Sequence, residues 1–190
     1  TLNPLKSKGK TEKQPDSLDI LFLSPHNGTI NYILIGSIPY MSNLIKNITE
    51  FALYLVQGYI SEGDVVVDAT CGNGYDTLRL AQLSPAKLYA FDIQQEAVDA
   101  TRKRLCEAGF AEKLENGTIE VICDSHEHLT DHVKTFIQAA VFNLGYLPGA
   151  DKGCTTSASS TMRAVRSCLS RLEPDGLVCI TMYSGHPAGR

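Results

Sequence analysis

Residues 65–77 read VVVDATCGNGYDT. Three β-branched residues run into Asp68, small residues follow, and two glycines, Gly72 and Gly74, stand one residue apart. A buried strand that breaks at glycines and gives way to a helix is the opening unit of an open α/β sheet. There the backbone and the helix N-terminus approach a ligand closely. Working outward, strands are expected at 64–68, 87–92, 118–123, 138–143 and 176–183, with helices near 75–83, 94–108, 128–137 and 157–172. The strand segments are apolar without clean alternation, as befits strands covered by helices on both faces. Pro174-Asp175-Gly176 reads as the turn into the last strand. Alternation of this kind gives an α/β fold with a doubly wound, mostly parallel, Rossmann-like sheet.

Toward the N-terminus, Leu44, Ile45, Ile48, Phe51, Leu55, Val56 and Tyr59 recur at three- and four-residue steps, which predicts an amphipathic helix over 43–60. Before it, apolar runs flank Asn27-Gly28, a pair that tolerates φ > 0 and signals a hairpin. Residues 1–18 are polar and carry Lys6, Lys8, Lys10 and Lys13, a flexible basic tail. The expected organisation is a tail over 1–18, a hairpin extension over 19–40 and the α/β domain over 41–190.

Composition narrows the function. The 190 residues carry a net charge of -4, so a nucleic-acid partner has to be held by a local patch and by shape rather than by general phosphate attraction. The six cysteines form no C-x-x-C pair, which argues against a zinc site and a disulfide framework; no metal is expected. No apolar run approaches the ~18 residues of a membrane span. Position 1 is Thr, not Met. The encoded start is therefore expected upstream, and a cleaved transit peptide leaves cytoplasm, plastid and mitochondrion open.

The dinucleotide fingerprint wants a third glycine at 77, where Thr77 stands, and this lowers the case for NAD. Asp92 ends the second strand, placed to accept hydrogen bonds from both hydroxyls of a ribose. Asp124 and Ser125 end the third, where an acceptor meets an adenine amino group, and Asn143 ends the fourth. Asp68 ahead of the glycines suits a cationic amino-acid tail. S-adenosyl-L-methionine carries ribose, adenine and an ammonium group and no phosphate. Its expected contacts are Asp68, Thr70, Gly72, Asn73, Gly74, Asp76 and Thr77 of the turn, then Asp92, Ile93 and Gln94, then Asp124, Ser125 and His126, and Asn143.

In combination VVDATCGNGYDT, DSHE, FNLGYLPGADK and YSGHPAG resemble class I methyltransferases, and more closely the rRNA-methylase family that includes the bacterial YtqB proteins, also called MnmM. The resemblance covers about residues 43–190. It implies methyl transfer from S-adenosyl-L-methionine to the amine of 5-aminomethyl-2-thiouridine in the anticodon stem-loop of tRNA. The product is 5-methylaminomethyl-2-thiouridine. Asn143-Leu144-Gly145-Tyr146 is similar to the N-P-P-Y segment of exocyclic-amine methyltransferases. That likeness gives Asn143 the task of accepting an amine N–H and Tyr146 a base to stack on. His126, Asp151 and His186 lie in matched motifs and are the candidate proton acceptors. Lys152 and Thr155 are placed to meet RNA phosphate, in a loop whose Ser157 or Ser159 can cap the next helix. His128 and His132 read as surface or packing residues.

Class I methyltransferases continue past the fifth strand with an antiparallel pair, whereas this sequence ends at Arg190. The fifth strand is then an apolar edge that invites pairing. Either a partner chain, in a homodimer, or the 19–36 hairpin is expected to cover it. Two other readings stay open: a small-molecule amine methyltransferase, and a non-catalytic S-adenosyl-L-methionine-binding scaffold.

Overall fold

The computed structural model describes residues 18–26, 29–35, 48–144 and 158–183. Strands β1 (Leu18–His26) and β2 (Thr29–Ile35) come first, then α1 (Ile48–Gln57), β3 (Val65–Asp68), α2 (Tyr75–Gln82), β4 (Lys87–Asp92), α3 (Gln95–Glu107) and α4 (Ala111–Glu115). β5 (Ile119–Cys123) follows, then a 3-10 turn (His126–His128), α5 (Leu129–His132), β6 (Ile137–Leu144), α6 (Ala158–Leu169) and β7 (Leu172–Tyr183). The strands form one seven-stranded sheet in the order β2-β1-β7-β6-β3-β4-β5. β3 to β7 are parallel with their neighbours in the series, and β1 is antiparallel to both β2 and β7. This is the Rossmann-like fold. The chain winds from β3 out to β5, then returns to β6 on the other side of β3, so the topological switch point lies between β3 and β6.

Successive residues of each central strand feed opposite core layers. Val66, Leu88, Ala139 and Val141 face α1, α2 and α3 through Leu53, Val56, Leu80 and Leu105. Val67, Phe91, Ala140 and Phe142 face α5 and α6 through Leu129, Ala164 and Cys168. Burial on both faces explains the near-continuous apolar strands. Among the described residues no helix is long and apolar enough to cross a membrane.

The edge of β7 is covered by the hairpin. β1 runs along it from Leu18↔Tyr183 to Leu23↔Val178. Ile20 and Phe22 enter the first core layer, while Leu21 and Leu23 pack against the second. The hydrogen-bonding groups of that edge are thus taken within the chain, and a homodimer built through it is displaced. The Asn27-Gly28 turn, residues 1–17 and residues 43–47 lie outside the described residues.

Three expectations need correction. The helix expected over 128–137 ends at His132, because Val133 turns extended (φ -90°, ψ 109°) and is buried in the second core layer with Ile137, which already pairs in the sheet. The helix expected over 157–172 spans Ala158–Leu169, since Leu172 is already paired with Ile137. Pro174-Asp175-Gly176 is an irregularity inside β7 rather than a turn ahead of it. Ile137 pairs with Leu172 and Ala139 with Leu177, so the residues between bulge out of the ladder. A Cβ on Gly176 would lie 2.7 Å from Leu172 Cγ and 2.9 Å from the Gln138 carbonyl oxygen, which is why glycine stands there.

Candidate active site

The turn after β3 is built around Asp68. Its carboxylate is buried, accepting the Thr70 N–H at 3.1 Å and the Thr77 hydroxyl at 2.6 Å. Burial first, and then the charge of Asp76, pushes its pKa up to about 7. Asp76 is also raised, again chiefly by burial. Among the described residues no Lys or Arg forms an ion pair with Asp68, Asp76 or Asp92. The charge of Arg79 reaches Asp76 without a close ion pair, and a buried group of carboxylates with so little compensation favours a cationic ligand.

The turn itself is pinned from α3. Gly72 and Gly74 have φ of 50° and 76°, the region that disfavours side chains. A Cβ on Gly74 would come within 2.8 Å of Thr101 Cα, so this glycine serves close packing of α3. The Thr101 hydroxyl donates to the Gly72 carbonyl at 3.0 Å, and Arg104 Nε donates to the Asn73 carbonyl at 2.7 Å. The Arg104 guanidinium lies 3.6 Å from the centre of the exposed Tyr75 ring, a cation–π contact.

Asp92 ends β4 beside this turn. One oxygen accepts the Gly72 N–H and the other the Gln94 N–H, both at 3.0 Å. Each oxygen keeps a free lone pair. Ile93 is 50 % exposed, an apolar surface next to that carboxylate. Farther along the rim, Asp124 accepts the Ser125 N–H at 2.7 Å, His128 Nδ1 at 2.8 Å and His132 Nε2 at 2.9 Å. The imidazoles draw its pKa down to about 2. His128 and His132, read from sequence as surface or packing residues, are therefore partners of this rim carboxylate. The signal was their spacing, four and eight residues after Asp124.

His126 is almost fully buried. Its Nδ1 lies 3.0 Å from the Ala69 carbonyl oxygen and its ring stands edge-on to Phe142. A carbonyl only accepts, so Nδ1 carries the proton and Nε2 is a bare acceptor. Nε2 has no partner among the described residues. Burial lowers the pKa of this ring and favours the neutral form.

Asn143 closes the constellation from across the switch point. Its N–H donates to the Thr70 hydroxyl at 2.7 Å, and its carboxamide nitrogen donates to Asp76 at 3.2 Å. The structure thus brings the residues expected at the ends of β3, β4, β5 and β6 to one edge of the sheet. Tyr146, Lys152, Asp151, Thr155, Ser157 and His186 lie outside the described residues.

Comparison with known proteins identifies the family. A family model described as Putative rRNA methylase matches residues 88–190. The crystal structure of a putative rRNA methylase from Clostridium thermocellum is similar at 32% identity and TM-score 0.70, covering 76% of this chain and 76% of that one. The chain belongs to the rRNA methylase family. A Streptococcus mutans methyltransferase solved in complex with SAH is 36% identical at TM-score 0.62, with 72% of this chain and 73% of that chain covered. The chloroplastic tRNA (mnm(5)s(2)U34)-methyltransferase of Arabidopsis thaliana is 34% identical over 152 residues, 76% of this chain. The chain spans 56% of the length of that plant relative. The family model and these relatives are described as methylases or methyltransferases, and the Streptococcus mutans relative was solved with SAH, the product form of S-adenosyl-L-methionine. The acidic rim of this chain, with no cation of its own paired there among the described residues, fits that sulfonium- and ammonium-bearing cofactor.

Proposed function

We propose that the chain methylates the primary amine of 5-aminomethyl-2-thiouridine at the wobble position of tRNA, giving 5-methylaminomethyl-2-thiouridine. The observation that carries this reading is the carboxamide of Asn143. It stands at the carboxyl end of β6, beside the turn after β3, with its nitrogen occupied by Asp76. Its oxygen has no partner among the described residues and is the acceptor an amine N–H needs. The name of the plant relative, which carries the methylated nucleoside mnm(5)s(2)U34, supports the same acceptor.

S-adenosyl-L-methionine, when bound, supplies a methyl group activated by a sulfonium that leaves as a neutral thioether. Asp68 balances positive charge from beneath the turn. Asp92 offers its free lone pairs to the ribose hydroxyls, with Gly72, Asn73, Gly74 and Thr77 shaping the turn beside it. Ile93, Gln94, Asp124, Ser125 and His126 would hold the base. Asn143 accepts one amine N–H and so aims the nitrogen lone pair; holding reactants in such an orientation supplies a large share of a rate. The amine arrives protonated near neutral pH, and its proton has to leave first. Asp151 and His186 are the acceptors proposed for it, the His126 ring nitrogen being buried and its pKa lowered. Tyr146 is assigned to stacking on a base, a contact worth about 1–3 kcal/mol, and Lys152 and Thr155 to phosphate of the anticodon stem-loop.

Nucleoside mass spectrometry tests the proposal. Hypomodified tRNA bearing 5-aminomethyl-2-thiouridine is incubated with the protein and S-adenosyl-L-methionine, with Asp92→Ala as control. A gain of one methyl on that nucleoside, lost in the variant, is expected. Cofactor binding without any gain on tRNA would overturn the acceptor assignment and turn the search to small amines.

A further inference from the structure

A carboxamide presents an acceptor on one side and a donor on the other, and the two are nearly the same shape. Rotating it by half a turn costs little sterically, so its hydrogen-bond partners decide which side faces a ligand. For Asn143 the direction is critical. With oxygen toward the substrate it accepts an amine N–H and leaves the nitrogen lone pair free. With nitrogen toward the substrate it donates to that same lone pair and occupies the electrons that must attack.

The backbone of Asn143 is fixed by sheet pairing with Thr181 and by its N–H bond to the Thr70 hydroxyl at 2.7 Å. Neither bond says anything about the carboxamide. The side-chain partner is Asp76, whose carboxylate accepts Asn143 Nδ2 at 3.2 Å. Asp76 sits in the first turn of α2; burial raises its pKa, while the Asn143 amide N–H, the charge of Arg79 and the helix dipole favour the ionised form. An ionised carboxylate accepts and never donates. No other hydrogen bond to Asp76 is made by the described residues, and no Lys or Arg pairs with it there. Arg79 acts on Asp76 only through its charge and makes its ion pair with Glu50, so the hydrogen bond to Asn143 is the directional contact of this carboxylate among the described residues.

We infer that Asp76 is a positioning residue: it holds the Asn143 carboxamide with nitrogen inward, so that the oxygen faces the acceptor amine. The inference rests on the reading of Asn143 as the group that orients that amine. It gives Asp76 a task other than contact with the cofactor.

The test has two arms. In the first, the Asn143 side-chain amide is followed by 15N NMR in the full chain and in Asp76→Ala. A hydrogen-bonded, downfield amide proton that moves to the free position in the variant is expected. Resonances that do not move would overturn the inference. This arm stands even if the wild-type protein transfers no methyl to tRNA, which would instead sink the reading of the acceptor. In the second arm, Asp76→Asn is expected to lower kcat by roughly 10- to 100-fold, in line with the cost of misplaced reacting groups, a larger loss than the accompanying loss of SAH affinity. The reciprocal pair Asp76→Asn with Asn143→Asp re-creates one donor facing one acceptor. It is expected to regain at least about tenfold over Asn143→Asp alone. Wild-type kcat in Asp76→Asn, a loss of SAH affinity as large as the loss of kcat, or no recovery in the reciprocal pair would each overturn it.

Discussion

Asp68 illustrates how a single side chain ties stability to ligand. Its pKa rises from 3.8 to about 7 because burial, and then the neighbouring Asp76, oppose its charge. Between those values the folded chain holds a proton that the unfolded chain has released. Stability from this residue is therefore complete below about pH 4 and is lost as pH rises to about 7, a window worth roughly 4 kcal/mol at 1.36 kcal/mol per unit. Asp68→Asn removes the titration while keeping an oxygen for the Thr70 N–H. The variant is expected to be more stable than the wild type at pH 8, by at least about 1 kcal/mol, with a flatter profile between pH 4 and 7. Its affinity for S-adenosyl-L-methionine should fall at the same time. Urea denaturation at pH 5 and pH 8, with calorimetry, checks both; an unchanged pH profile would refute the argument. At this scale the strand-end residues were legible, because Asp68, Asp92, Asp124 and Asn143 each follow an apolar run. The partners were not. Nothing in the residue types says that Asp124 collects His128 and His132, or that Asp76 reaches Asn143 from another element.

At the scale of elements, the hairpin contributes buried side chains to the core. β1 lies between β2 and β7, and Ile20 within it is fully buried in the layer that also holds Val56 and Cys179. Truncating such a side chain costs about 2–5 kcal/mol. Ile20→Ala should lower the unfolding free energy by that amount in a single cooperative transition followed by urea denaturation. A loss below about 0.5 kcal/mol would mean that the hairpin does not share the core. The hairpin itself was readable from the apolar runs around Asn27-Gly28, and its two possible dispositions were left open until the register of β1 on β7 decided. Pro174-Asp175-Gly176 misled for a physical reason. Its residues are those of a turn, and only the neighbouring strand, with Ile137 and Ala139 facing Leu172 and Leu177, makes them a bulge within a continuing strand. The helix over 128–137 was overextended because Val133 fits a helical face as readily as an extended one, and burial beside Ile137 chose the latter.

For the whole molecule, the acidic balance and the acidic rim have one consequence that solution work can read. A cationic cofactor binding only the folded chain stabilises it by about 2.7 kcal/mol at 100-fold its Kd. S-adenosyl-L-methionine at that level is expected to raise Tm, and Asp92→Ala to abolish the rise. No shift in the wild type would refute binding by this chain. The register of β1 on β7 also bears on how the molecule forms. Leu18 pairs with Tyr183, so β1 finds its place only once β7, with β2 to β6 between them in sequence, has arrived. Pairings that close so long a loop are slow, because their entropy is spent before contact repays it. During synthesis β1 emerges before β7 and waits, its edge without the strand it joins, until β7 has been made. Until β1 docks onto β7, an unpaired strand edge is open to association with other chains.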